Sequence, residues 1–186
     1  ITENDIVLVK EVKNNIDVRD LEKLARSISD TLSSEFFTKV NVGIGTPVVG
    51  VKDLARSFKE AQTALEVGKV FDTDKNIVSY DNLGIARLIY HLPTTLCETF
   101  LKEVFKKNSI ESLDHETLFT IQKFFENSLN VSETYRKLFV HRNTLVYRLD
   151  KIKKLTGLDL REFDHAIIFK IALMVKKYLA ANPTKF

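Results

Sequence analysis

Residues 131–158 read V-S-E-T-Y-R-K-L-F-V-H-R-N-T-L-V-Y-R-L-D-K-I-K-K-L-T-G-L. Apolar side chains recur at helical spacing in two sets, first Val131, Tyr135 and Leu138, then Leu145, Leu149, Ile152 and Leu155. We predict one helix from about Ser132 to Leu138 and a second from about His141 to Leu155. Because so few residues remain between them, the stretch has the form of a helix-turn-helix.

Local signals mark the ends of these two helices. The hydroxyl of Ser132 is the predicted cap of the first helix, and Glu133 suits the positive end of its dipole. Gly157 supplies a stop after the second helix. Phe139 stands where many helix-turn-helix proteins place glycine to reach a positive φ, so we expect a strained or differently wound corner.

The start of the second helix carries residues suited to reading DNA bases. With the leucines pointing inward, the outward residues are Arg142, Asn143, Val146, Tyr147 and Arg148. DNA readers place their base contacts at this position, where Arg can make two hydrogen bonds to guanine and Asn two to adenine. We predict that Arg142 and Asn143 read bases and that Tyr147 and Arg148 extend that face.

A second set of polar residues is predicted to contact the DNA backbone, namely Ser132, Lys137, His141, Thr144, Lys151, Lys153 and Lys154. Ser132 is either the cap or a phosphate donor, and His141 either caps the second helix or touches a phosphate. Thr144 contacts a phosphate or a thymine methyl group, or leans toward the core. For an isolated basic helix a solvated surface is the simpler reading, but the corner and H-R-N-T favour DNA.

Charge is distributed unevenly along the chain. Residues 130–186 hold 12 Lys and Arg against 5 Asp and Glu, while the rest of the chain holds 16 against 20. The basic end therefore coincides with the predicted helix-turn-helix, which favours a polyanionic partner.

The run from Leu138 to Leu160 resembles the C-terminal DNA-binding signature of the PucR/CdaR group of bacterial transcription regulators, which is linked to purine catabolism and sugar-diacid use. The resemblance continues through A-I-I-F-K-I-A-L-M-V-K-K-Y-L and back into L-F-T-I-Q-K-F-F-E-N-S-L-N-V-S. It implies a sequence-specific DNA-binding regulator. The family usually carries a small Ala at the position of Tyr135, so we expect the ring to alter the spacing or tilt of the two helices.

The N-terminal part alternates strands and helices. We predict strands at Asp5–Lys10, Lys39–Thr46 and Ile77–Tyr80, a helix at Val18–Phe37 with Leu21, Leu24, Ile28 and Leu32 inward, and a helix that starts at Asp53. The alternation indicates an α/β or α+β layer. From Leu83 onward every segment is helical in pattern, with helices at 83–92, 96–105, 113–125 and 166–179, and the phenylalanines among them are assigned to the core or to a dimer interface.

The first part also has a relative. Its V-N-V-G-I-G-T-P-V, S-F-K-E-A-Q-T-A-L-E-V-G-K and I-V-S-Y-D-N-L-G resemble the degenerate GGDEF-like domain that precedes the helix-turn-helix in CdaR-type regulators. Asp81 and Asn82 punctuate the chain where the all-helical pattern begins, so we place the domain boundary there. With the two resemblances, this predicts an α+β chain in which residues 1–81 are a small, partial GGDEF-like α/β sheet domain and residues 82–186 an all-helical PucR-type helix-turn-helix domain. We interpret the chain as a fragment whose upstream sensor, with any small-molecule effector, is out of view.

Catalytic and metal chemistry is not expected. The residues contain no acidic GG[DE]EF turn, so we predict no cyclase activity and no enzyme. Gly43, Gly45 and Gly50 could expose amides to a phosphate, but tight turn geometry is the favoured reading. The four histidines lack zinc spacing, Cys97 is read as a buried small hydrophobe, and no cofactor is expected.

The remaining expectations concern location and partners. No apolar run reaches the about 18 residues of a membrane span, and neither a signal peptide nor a disulfide framework is evident, so we expect a cytoplasmic protein without a membrane partner. Double-stranded DNA is the expected partner, bound by a homodimer on half-sites about 34 Å apart. The alternatives are a protein-interaction or dimerisation module and, last, a nucleotide-handling enzyme of GGDEF ancestry.

Overall fold

A computed structural model of the chain describes residues 5–13, 16–71, 75–105 and 113–182. They belong to two compact units, Ile1–Tyr90 and His91–Phe186. The predicted α+β class is confirmed, because the first unit contains a small parallel sheet and the second is helical throughout its described part. The expected division after residue 81 comes before helix Ile85–Tyr90, which packs with the first unit.

The elements of the first unit, in chain order, are α1 Val18–Phe36, β1 Val42–Ile44, a 3-10 turn Val51–Asp53, α2 Leu54–Phe71, β2 Ile77–Ser79, a 3-10 turn Tyr80–Asn82 and α3 Ile85–Tyr90. The Asp17 carboxylate caps α1 by accepting the N–H of Arg19 at 2.8 Å. Strands β1 and β2 pair in parallel, with Gly43 opposite Val78. Both α1 and α2 contact this two-stranded sheet.

The first predicted strand is wrong. Residues 5–10 lie outside any strand and are exposed along their whole length. β1 and β2 pair with each other, and the apolar side chains of this segment stay in solvent, so burial does not favour the strand conformation here. The other two strands are confirmed but are shorter than predicted. In α1 the predicted inward residues are half-buried, while Ala25 and Ser29 are the buried ones.

Gly43 in β1 and Gly45 just after it allow helix α2 to pack closely against the strand. A Cβ atom at Gly43 would stand 2.2 Å from the carbonyl oxygen of Ala61, and one at Gly45 would stand 2.0 Å from that of Ser57. Their role is therefore close packing of strand against helix rather than the favoured turn geometry. The amide of Thr46 that follows donates to the Glu60 carboxylate at 3.1 Å, so this amide already has an anionic partner within the protein.

The second unit consists of α4 Thr94–Phe105, α5 His115–Glu126, α6 Val131–Lys137, α7 Arg142–Thr156 and α8 Phe163–Ala181. Its helices meet around one apolar core, whose fully buried members include Ile121, Phe124, Leu145, Leu149, Ile152, Leu160 and Phe169. The rings of Phe105 and Phe169 pack edge to face at 5.7 Å between centroids. Cys97 is buried as predicted, and burial raises the pKa of its thiol.

No helix in the described ranges is long and apolar enough to cross a membrane.

Candidate nucleic-acid interface

Helix α6 begins one residue earlier than predicted and has a different cap. The side chain of Asn130 accepts the N–H of Glu133 at 3.1 Å, and the Asn130 carbonyl accepts the hydroxyl of Thr134 at 2.7 Å. Ser132 lies inside the helix and is exposed, so its predicted capping role is wrong. Asn and Ser are equally good caps, and the one that stands just before the first helical residue takes the role.

The corner between α6 and α7 is a Schellman turn built without glycine. Phe139 donates its N–H to Arg136 at 3.1 Å, and Val140 donates to Tyr135 at 3.1 Å. Phe139 adopts φ 54° with 95% of its surface exposed. The positive φ that glycine usually supplies at this corner is therefore adopted by Phe139, whose side chain crowds its own backbone in the left-handed region without gaining burial.

The inner face of α7 anchors it in the core. Leu145, Leu149 and Ile152 are fully buried, as the stripe predicts. On α6, Thr134 is fully buried and Tyr135 is half-buried against the same core. The Tyr135 ring therefore lies at the edge of the contact between α6 and the core, while the smaller Thr134 occupies the fully buried position.

The outer face of α7 starts at its first turn. Arg142, Asn143, Thr144 and Tyr147 are all exposed, and Val146 is half-buried. The exposure of Thr144 removes the alternative in which its side chain leans toward the core. This face combines a cation, an amide, a hydroxyl and an aromatic ring within two helical turns, a set of groups suited to the edges of base pairs.

His141 is the cap of α7. Its Nδ1 accepts the N–H of Asn143 at 3.3 Å, with the backbone extended at φ −67° and ψ 145°. This hydrogen bond satisfies one of the amides left open at the start of the helix. Of the two alternatives for His141, the structure contains the capping one, and a phosphate contact stays a prediction.

Arg148 departs from the outward position expected for it. Its side chain is only 16% exposed, donates to the hydroxyl of Thr120 at 3.0 Å and forms an ion pair with Glu116. Both partners lie on α5, so the guanidinium points toward α5 rather than into solvent. The helical wheel puts Arg148 at the border of the buried stripe, and the facing helix determines which way it turns.

The predicted phosphate lysines fall into two groups. Lys151 contacts the Asp114 carboxylate at 2.6 Å, and Lys153 contacts Asp159 at 3.1 Å. The hydrogen bond from Lys151 holds the pKa of Asp114 well below its usual range, and Asp114 in turn raises the pKa of the lysine. Lys137 and Lys154 are exposed, and Lys154 makes no ion pair within the part of the chain that the structure describes.

Behind α7, the connection to α8 is organised around a buried carboxylate. Asp159 accepts Nε and Nη2 of Arg161 at 2.7 and 2.8 Å, and Arg161 also reaches Asp150 at 2.8 Å. Hydrogen bonds from Arg161 hold the pKa of Asp159 well below its usual range. Asp150 is the acidic residue on the exposed face of α7, and its ion pair with Arg161 balances its negative charge.

Sequence reasoning missed the residues that hold this interface together. Asn130 with Glu133 has the spacing of a capping box, a signal that was available. Glu116 and Thr120 had no such signal, because their partner Arg148 follows them by 32 and 28 residues. The exposed Arg136 on α6, which forms an ion pair with Glu133 at 3.5 Å, was also overlooked.

Within the described residues no group of three or more His, Cys, Asp and Glu side chains is placed to hold a metal ion.

Comparison with known proteins adds independent evidence. The sequence model of the PucR C-terminal helix-turn-helix domain matches residues 117–175, which contain α6 and α7. The model of the GGDEF-like domain matches residues 1–67. The order of the two matches is the one that the sequence predicts.

Two curated relatives agree with these matches. The carbohydrate diacid regulator of Escherichia coli is 27% identical over 92% of this chain and 45% of its own length. The purine catabolism regulatory protein of Bacillus subtilis is 26% identical over 80% of this chain and 28% of its own length. A crystal structure of a regulator of polyketide synthase expression from Bifidobacterium adolescentis has 24% sequence identity over 68% of this chain and 49% of that chain, with a TM-score of 0.39.

The chain thus spans less than half the length of these two curated relatives. With a match to the GGDEF-like domain followed by a match to the PucR-type helix-turn-helix domain, it is PucR/CdaR-like in sequence and in the order of its domains.

Proposed function

We propose that this chain is the DNA-binding part of a bacterial transcription regulator and that α7 enters the major groove. The observation that carries the proposal is the division of α7 into two faces. Leu145, Leu149 and Ile152 are fully buried, while Arg142, Asn143 and Tyr147 are exposed at its start. A helix fixed along its back and polar along its front is the arrangement used for base readout.

In this proposal Arg142 and Asn143 read bases, and Tyr147 extends their face. Lys137 and Lys154 contact phosphates. Ser132, Thr144 and Nε2 of His141, the ring nitrogen that does not cap α7, do the same. Lys151 and Lys153 reach a phosphate of the DNA only by leaving the carboxylates of Asp114 and Asp159. A base contact from Arg148 likewise requires it to leave Glu116 and Thr120.

The wider assignment follows from the family. We infer a homodimer on half-sites about 34 Å apart, because one short reader contacts too few base pairs for useful specificity. The GGDEF-like domain acts in linkage or self-association rather than catalysis, and an effector would reach the protein through a separate sensor. The place of action is the cytoplasm, where bacterial DNA lies.

The first experiment compares Arg142→Ala with Lys154→Ala. In vitro selection from a random duplex pool supplies a preferred duplex, and affinities for it and for a scrambled duplex are measured. Arg142→Ala should cost about 1 to 3 kcal/mol on the preferred duplex and little on the scrambled one, because it removes a base contact. Lys154→Ala should weaken both alike.

Lys69→Ala, an exposed lysine of α2, controls for the loss of one charge and should change neither affinity. Equal losses on both duplexes from Arg142→Ala would contradict the base-reading assignment.

A protein-interaction module is the main rival, and salt dependence separates it from a DNA reader. Binding to duplex DNA releases counterions, so its affinity should fall steeply as salt rises. The nucleotide-handling alternative predicts turnover of GTP with Mg²⁺, and we expect none. Glu60 and Asp81 face Thr46 beside the glycines of β1, an acidic setting that disfavours a triphosphate.

A further inference from the structure

Two cations of α7 extend toward the beginning of α5. Arg148 contacts Glu116 and Thr120, and one turn later Lys151 contacts Asp114. Asp114 is also the cap of α5, where its other oxygen accepts the N–H of Thr117 at 2.7 Å. The outer helix of the proposed interface is thus tied at two successive turns to one end of a neighbouring helix.

The Arg148 contact differs from an ordinary surface ion pair. Thr120 is fully buried, and its hydroxyl donates to the Glu116 carbonyl at 2.9 Å, so its lone pairs are directed at the guanidinium. Arg148 therefore inserts one nitrogen into the interior and places the other on Glu116. A planar guanidinium held at two points fixes direction as well as distance.

We propose that Arg148 is a positioning residue, which sets the angle of α7 on α5 so that Arg142 and Asn143 meet their bases, and that it does not itself read DNA. This inference rests on the proposed function. It also gives Glu116 and Thr120 of α5 a role in DNA recognition, although neither carries the positive charge that would attract DNA.

The proposal predicts an effect opposite in sign to simple electrostatics. Removing the negative charge of Glu116 reduces repulsion of a polyanion, and it also frees Arg148 to move toward DNA. Both effects would strengthen binding if Arg148 were a reader. If Arg148 positions α7, the same change loosens the helix and weakens the preference for the correct sequence.

The test uses the whole chain with Thr120→Val, Thr120→Ser and Glu116→Gln. The readout is the ratio of affinities for the duplex selected in vitro by the unsubstituted chain and for its scrambled version. Thr120→Val removes the buried acceptor at nearly constant size, and we expect the ratio to fall about fivefold, the effect of losing one hydrogen bond. Thr120→Ser retains the hydroxyl and should restore the ratio.

Glu116→Gln should also lower the ratio, while Glu103→Gln, an exposed charge-matched control on α4, should leave it unchanged. The thermal unfolding midpoint is measured for each variant, and the side chain of Glu116 is 70% exposed, so the Gln variant tests the idea even if Thr120→Val unfolds. A loss of preference without a loss of stability is a result that a merely structural role would not produce.

Unchanged ratios in Thr120→Val and Glu116→Gln would overturn the proposal, and tighter binding of Glu116→Gln to both duplexes would show that Glu116 competes with DNA for Arg148. Failure of the proposed function is a different result, in which selection by the unsubstituted chain enriches no duplex.

Discussion

The apolar stripe on α7 of the C-terminal unit and the apolar run at residues 5–10 of the N-terminal unit differ in burial. In the C-terminal unit the stripe on α7 is fully buried and joins Ile121 and Phe124 in one core. In the N-terminal unit the apolar run around Leu8, with a side chain 64% exposed, forms no strand. The comparison teaches that apolar periodicity predicts structure where neighbouring segments supply the matching surface, and that an apolar run without such a partner remains exposed.

The largest expected effect comes from the same substitution made in both units. Leu149→Ala should lower the free energy of unfolding by about 3 kcal/mol, because it leaves a cavity in a closed core. Leu8→Ala should change it by less than about 0.5 kcal/mol, since that side chain is largely in solvent. Urea unfolding followed by circular dichroism measures both. Similar losses at the two positions would break the comparison.

A second pair of substitutions asks how tightly the N-terminal unit is built around β1. Gly45→Ala should cost about 2 kcal/mol, because its new methyl group would collide with the backbone of Ser57. Gly50→Ala should cost less than about 0.5 kcal/mol, because the nearest atom lies 3.7 Å away and φ is −114°. Unfolding of the N-terminal unit is the measurement, and a neutral Gly45→Ala would remove the packing explanation for these glycines.

The smallest effect concerns the two left-handed residues that flank α7. Phe139→Gly should stabilise the C-terminal unit by about 1 kcal/mol, because it relieves a positive φ at little loss of buried surface. Gly157→Ala should destabilise it by about 1 kcal/mol, because it introduces a side chain at a positive φ of 78°. Thermal unfolding measures both, and a destabilising Phe139→Gly would mean that the ring makes a stabilising contact.

Much of the proposed interface could be predicted from local signals. The stripes of α6 and α7 located both helices to within a residue or two, and the missing glycine at Phe139 indicated the strained corner. The cap of α6 was missed although its signal was local, because Asn130 and Ser132 are both good capping residues and only Asn130 has a glutamate three residues later.

The orientation of Arg148 required information from far along the chain. Spacing places it between the buried and exposed faces of α7, and both outcomes fit that position. Thr120 and Glu116 determine the outcome by offering an acceptor and a charge on α5. The same is true of Gly43 and Gly45, whose purpose becomes clear only when α2 lies across them.

By itself, the sequence determined a basic helix-turn-helix at its C-terminal end, the family that it resembles and the residues available to meet DNA, because helical periodicity, caps and charge are properties of neighbouring residues. Only the tertiary structure decided which of those residues the protein already uses for itself. Arg148, Lys151 and Lys153 are each held by a carboxylate, and the ties of Arg148 and Lys151 to α5 exist only once two helices distant in sequence have packed together.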